Sequence, residues 1–137
     1  MASASSGLPI AAGTPQHDRR HRGERGEQAV AEWYTRAGYE VVSRNWRCRD
    51  GEIDLVVIDP GGVLVICEVK TRTSVAFGTP LEAVTTTKQK RLRRLAARWL
   101  SDARTQGVKL RPVRFDVAGV MEGRLGAFRI EVIHDAF

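Results

Sequence analysis

Residues 51–72 read GEIDLVVIDPGGVLVICEVKTR, and no other stretch restricts the fold as tightly. Two aliphatic runs bounded by Gly and Pro read as a pair of strands, EIDLVVI and VLVICEVK, joined by a DPGG loop. Glu52, Asp54, Glu68 and Lys70 are threaded into these otherwise apolar strands. Because strand side chains alternate between faces, Glu68 and Lys70 share a face with Leu64 and Ile66, and Asp54 shares one with Val56 and Ile58. If Ile58 opposes Leu64, then Val56 opposes Ile66 and Asp54 opposes Glu68. A slip of one residue would set Asp54 against Cys67 and separate the carboxylates.

Two ionised carboxylates about 4 Å apart repel by roughly 4 kcal/mol at an effective dielectric near 20, so such a pairing needs compensation. Lys70 supplies one positive charge. If Glu27 also converges, two negative charges are left over, which a divalent cation would neutralise. Carboxylate oxygens with open water positions suit Mg²⁺ or Mn²⁺. A cation of this kind beside a lysine matches the demands of phosphodiester hydrolysis, where a phosphoryl oxygen is polarised and developing negative charge is stabilised. The bland alternative is a buried Asp/Glu/Lys cluster with no chemical task, and buried ion pairs are often no better for stability than apolar replacements.

The remaining elements follow from periodicity. A helix is predicted over about Glu24 to Ala37, with Val30, Trp33, Tyr34 and Ala37 on one stripe and Gly38 placed to end it. Glu27 lies three residues before Val30 and extends that stripe, which aims its carboxylate along the buried side. YEVVSRNW reads as a strand and RDG as a turn, so the first three strands form an antiparallel meander. The pair Thr86 and Gln89 has capping-box spacing, and a long helix is expected from near Thr87. Its Leu92, Leu95, Ala96, Trp99 and Leu100 share one face, leaving Arg91, Arg94 and Arg98 at the flank or in solvent. VRFDVAGV and AFRIEVI close the chain as two further strands. The expected class is α/β, in the order α-β-β-β-α-β-β, with a mixed sheet flanked by helices. Residues 1–22, rich in small residues and then basic, are expected to be a flexible basic tail, and residues 23–137 a single domain.

The net charge is +6 and the sequence pI about 10.0, which favours a polyanionic partner. The run KQKRLRRLAAR, Lys88 to Arg98, contains no acidic residue. No apolar run approaches the roughly 20 residues that cross a bilayer, and the N-terminal segment lacks the basic and apolar regions of a signal peptide. No membrane association and a cytoplasmic location are therefore expected. Cys48 and Cys67 read as small buried hydrophobes, and no Cys/His zinc spacing can be assembled with His17, His21 and His134, to which no chemistry is assigned.

The motifs GERGEQAVAEWY, GYEVVSRNWR, GEIDLV, ICEVKTR and RFDV, in that order, resemble those of the YraN family. This bacterial group is similar to archaeal Holliday junction resolvases within the restriction-endonuclease-like PD-(D/E)xK nuclease superfamily. The likeness spans about Gly23 to Val117. It implies a restriction-endonuclease-like core in which Asp54 and Glu68 bind Mg²⁺ or Mn²⁺, Lys70 is the catalytic lysine, Glu27 is the helix glutamate added to the site as a catalytic residue and metal ligand, and the Val69 main-chain carbonyl is a further ligand. Ile53 stands where the motif name has proline, which removes no ligand. Asp116 matches the RFDV motif and is expected to be a structural partner. Asn45, Arg47 and Arg72 flank the site, and Lys88, Gln89 and Arg91 open the basic helix, so these six are the candidate nucleic-acid contacts. The activity implied is metal-dependent endonuclease cleavage of structured or branched DNA, with a homodimer by analogy. The alternative is a non-catalytic nucleic-acid-binding protein that keeps the nuclease fold.

Overall fold

The computed structural model describes residues 15–73, 78–107, 109 and 111–137. Helix α1 spans Pro15–Arg36, nine residues longer at its start than periodicity suggested. Residues 15–22 are therefore helical where a flexible tail was expected, and residues 1–14 of that expected tail lie outside the described residues. The early start has a local reason: proline is pre-organised for the first turn of a helix. At the other end Gly38 adopts φ +91°. Gly38 N–H donates to Thr35 O and Tyr39 N–H to Tyr34 O, both at 3.0 Å, the pattern by which a left-handed glycine satisfies the last carbonyls.

Strands β1 (Glu40–Cys48), β2 (Gly51–Ile58) and β3 (Leu64–Arg72) follow, then α2 (Thr86–Thr105), β4 (Val113–Glu122) and β5 (Phe128–Ile133). The sheet order is β1-β2-β3-β4-β5. β1, β2 and β3 form the expected antiparallel meander, β3 and β4 run parallel, and β5 returns antiparallel. A parallel neighbour needs a long crossover, and α2 is that crossover. The mixed α/β sheet is thus the expected one.

Each helix covers one face. Leu92, Leu95, Ala96 and Trp99 of α2 pack on Ile53, Val56, Leu64, Ile66, Phe115 and Val117. Val30, Ala31 and Tyr34 of α1 pack on Leu55, Val57, Val65, Cys67, Val69, Ala118 and Val120. Alternation along β3 explains the division, since Leu64 and Ile66 face α2 while Val65, Cys67 and Val69 face α1. β3 is buried on both faces, which accounts for its unbroken aliphatic run.

The cap of α2 differs from the capping-box expectation. Thr85, not Thr86, is the N-cap, its Oγ1 accepting from Lys88 N–H at 3.3 Å. Gln89 donates through Nε2 to Val84 O at 3.1 Å rather than completing a box. Val84 is buried, and anchoring it sets the helix start one residue earlier than the threonine pattern alone indicates.

Asp116 is fully buried and ties α1, β4 and the C-terminal segment together. It accepts from Tyr34 Oη at 2.7 Å, Arg114 Nε at 2.9 Å and Asp135 N–H at 3.1 Å, and pairs with His134 Nδ1 at 2.8 Å. Burial works against the charged form, but these partners outweigh it and hold the carboxyl below its usual range. Among the described residues no helix is long and apolar enough to cross a membrane.

Candidate active site

The β2–β3 register has Ile58↔Leu64 and Val56↔Ile66, the pairing that the alternation argument singled out. The ladder ends at Leu55↔Cys67, one position short of Asp54 and Glu68. At that point β2 changes face: Leu55 belongs to the α1 cluster and Ile53, two residues away, to the α2 cluster. Regular alternation would have kept both on one side. Across on β1, between the pairs Arg44↔Leu55 and Trp46↔Ile53, Asn45 takes φ +51°, a left-handed conformation that Asn tolerates better than most residues.

Asp54 therefore occupies the end of the ladder, and its side chain replaces the missing backbone pair. Its Oδ2 accepts from Val69 N–H at 2.9 Å. The N–H and C=O of a strand residue point toward the same neighbouring strand, so the Val69 carbonyl is directed at the same gap between β2 and β3. On the far side of the gap Glu68 Oε2 lies 3.2 Å from Lys70 Nζ.

The electrostatics reflect this crowding. Burial, then the Glu68 charge, push the Asp54 carboxyl up to about 8, against the lowering effect of the Val69 N–H. Burial and the Glu52 charge raise Glu27, while side-chain hydrogen bonds with Asn45 and Asp54 pull against them. Helix α1 thus delivers Glu27 to Asp54. For Lys70, burial disfavours the ammonium, yet the nearby carboxylate charges of Glu68 and Asp54 prevail and keep it above its usual range. Lys88 is lowered by its contact with Lys70, by burial and by the Lys70 charge.

The other candidates are placed less uniformly. Asn45 lies beside Glu27 in a depression of about 570 Å³ that Glu24, Arg47 and Glu52 also line. Arg47 is engaged by Glu52, Nε to Oε2 at 2.6 Å, and Arg72 by Gly78 O at 2.8 Å. Lys88 reaches Lys70. Gln89 is occupied at the start of α2 and is not brought to the carboxylates by any bond. Arg91 is exposed and runs beside Gly51 in the β1–β2 turn.

Two contributors have no role assigned to them from the sequence. Glu52 acts on Glu27, Asp54 and Arg47, and the same EID run that revealed Asp54 carries it. Gly26 is buried in α1, where an added Cβ would lie 2.1 Å from Thr71 Oγ1. Its signal was a glycine inside a helical pattern, which disfavours the helix unless close packing requires it.

Among the described residues no three His, Cys, Asp or Glu side chains converge as a metal cage. The oxygen groups that act on one another here are the Asp54 carboxyl, the Glu68 carboxylate through its charge and Glu27 through its hydrogen bond to Asp54, with the Val69 backbone beside them. An all-oxygen set of this size fits a hard cation that retains several waters, as magnesium does, and does not fit zinc.

A sequence profile described as uncharacterised protein family UPF0102 matches residues 26–120. A UPF0102 protein of Beutenbergia cavernae is 54% identical over 109 residues, 80% of this chain and 89% of that protein. One from Symbiobacterium thermophilum is 51% identical over 118 residues, 86% of this chain and 97% of that protein. A third, from Rhodococcus jostii, is 47% identical over 115 residues, 84% and 94% of the two chains. The names of these relatives state no activity.

Proposed function

The chain belongs to the uncharacterised protein family UPF0102, the YraN family, and from that premise we propose that it is a metal-dependent endonuclease hydrolysing phosphodiester bonds of structured or branched DNA. The observation that carries the reading is the Asp54 carboxyl, bonded to Val69 N–H and raised to about 8, beside the Glu68–Lys70 pair. A buried acid with a strongly displaced pKa and specific charged neighbours is a mark of functional sites.

Asp54, Glu68 and the Val69 carbonyl would hold Mg²⁺ or Mn²⁺, which when bound supplies Lewis acidity toward the scissile phosphate. Glu68 positions the Lys70 ammonium, which stabilises negative charge developing on a phosphoryl oxygen. Glu27, its carboxyl raised, accepts at a carboxylate oxygen the proton of the attacking water. The apolar clusters on either side of the sheet keep these groups fixed. Lys88, Arg91 and the exposed arginines of α2 contact phosphates flanking the cut, and a homodimer matches the two-fold symmetry of a four-way junction.

One observation favours a second reading, a non-catalytic nucleic-acid-binding protein: no three-acid cage forms among the described residues. Purified protein incubated with four-way, flapped, single-stranded and linear duplex DNA in Mg²⁺ or Mn²⁺ decides between them. Glu68→Gln and Lys70→Met should each lower cleavage about 100-fold or more, the size of a lost charge-stabilising group, with DNA affinity within about threefold of wild type. Cleavage that persists in EDTA or in both variants overturns the proposal. Binding without cleavage of any substrate by the wild type establishes the second reading.

A further inference from the structure

The face of the sheet that holds α2 extends past the helix, and there, among the described residues, two cross-strand rows lie beyond the cover of α2, the first capped at its centre by Pro80. One is Lys70–Gly119–Glu131 and the next Arg72–Met121–Arg129, aligned by the β3–β4 and β4–β5 registers. Neither row belongs to the α2 core cluster. Gly119 leaves the first row without a central side chain, and the ring of Pro80 leans over that vacancy so closely that an added Cβ would lie 2.1 Å from its Cγ. Beside Pro80 the hollow encloses about 360 Å³, within the roughly 300–1,000 Å³ of small-ligand pockets. Its floor and one wall are Gly119, Met121 and Pro80, flat and apolar. Lys70, Arg72 and Arg129 supply cations at its sides, against the single carboxylate of Glu131.

We infer that this hollow binds one unpaired nucleotide of a nucleic-acid strand, its base against Met121 and Pro80 and its phosphates toward Arg72 and Arg129. The inference rests on the nuclease reading only in its biology; the pocket itself stands on the two rows. An apolar slot flanked by cations fits a nucleotide, since bases removed from the stack are held between aromatic or apolar side chains while the backbone follows positive charge. A base in a regular duplex cannot enter it. Because Lys70 lines both the hollow and the acidic site, the bound nucleotide would adjoin the cut, and the substrate would be one with an unpaired residue there, such as a flap, a gap or an opened junction arm.

The test is fluorescence anisotropy in EDTA, where binding is read without cleavage, using a labelled twelve-residue oligothymidylate, a blunt duplex of equal length and a twelve-unit strand of abasic deoxyribose phosphate. Wild-type protein should bind the oligothymidylate about tenfold tighter than the abasic strand, on the order of one base contact. Met121→Ala, which removes the wall, and Met121→Gln, which keeps its length but not its apolar surface, should each erase most of that difference and change duplex affinity less than twofold. Met121 is only half buried, so the near-isosteric glutamine variant retains the fold if the alanine variant does not. Equal binding of the abasic strand and oligothymidylate, or variants that weaken duplex and single strand alike, overturns the pocket. Cleavage in Mg²⁺ alongside that result leaves the nuclease reading standing, and loss of cleavage with the base-dependent binding intact does the reverse.

Discussion

Asp54 and Asp116 are both carboxyls in the central sheet, and their surroundings drive them in opposite directions. Asp116 is fully buried but surrounded by protein donors, and sits below its usual range; Asp54 has one N–H donor and a second acid nearby, and sits at about 8. Donors that favour the charged form are what a structural carboxylate gathers, and surroundings that oppose the charge are the pattern that clusters at functional sites. The sign of the consequence is fixed. Between the ordinary value of 3.8 and about 8, folded protein retains a proton that the unfolded chain has lost, so metal-free stability falls as pH rises through that window and is lowest above it. Asp54→Asn keeps an oxygen for the Val69 N–H and removes the charge. In EDTA it should stabilise the protein at about pH 9 by a few kcal/mol, on the order of what such a displacement represents, and change little at about pH 4. Urea titrations at the two pH values check this, and equal destabilisation at both would show that Asp54 is an ordinary ion-pair member.

At the scale of elements, the site depends on how closely α1 approaches β3. Gly26 sets that distance: Thr71 Oγ1 fills the space of its missing side chain, and one residue later Glu27 reaches Asp54. Gly26→Ala must push the helix away or displace Thr71. Overpacking of this kind costs about 1–3 kcal/mol, more than the helix propensity gained from alanine. Thr71→Ala removes the obstructing oxygen and methyl, so the double variant should recover most of the loss. A double-mutant cycle on stability reads the coupling, expected to exceed about 0.5 kcal/mol. Additive effects would mean that α1 does not rest on Thr71. The cap of α2 belongs to the same scale, since Thr85 and the buried Val84 start that helix where Lys88 meets Lys70.

The whole molecule is basic, and its charge is distributed unevenly. Acidic groups collect where β2 meets α1, while α2 carries Lys90, Arg91, Arg94 and Arg98 on exposed positions. A polyanion would be drawn to the helix and its phosphate presented to the carboxylates. Affinity for DNA should then fall steeply with salt, each phosphate contact adding about 0.9 to the log–log slope. Replacing Arg91 and Arg94 together with Gln should lower that slope by about two. A slope near zero in the wild type would exclude nucleic acid as the partner.

The sequence by itself determined what depends on period and local chemistry: two helices, five strands, their order and the identity of the charged residues in β2 and β3, while it left two registers open for that pair, of which the structure has Ile58 opposite Leu64. Those signals are strong because one face of each element must be buried. It missed the cap at Thr85 by one position because adjacent threonines offer the same hydroxyl, and it set the start of α1 late because basic residues carry no apolar stripe. Only the tertiary structure decided that β2 changes face at Asp54, that Val69 N–H rather than a ladder partner meets its carboxylate, that Gly26 brings Glu27 within reach, and that Pro80 seats on Gly119 beside the hollow that Lys70 lines. Each of these depends on how two or three separate elements share space, and a strand's alternation carries no record of where its neighbour stops.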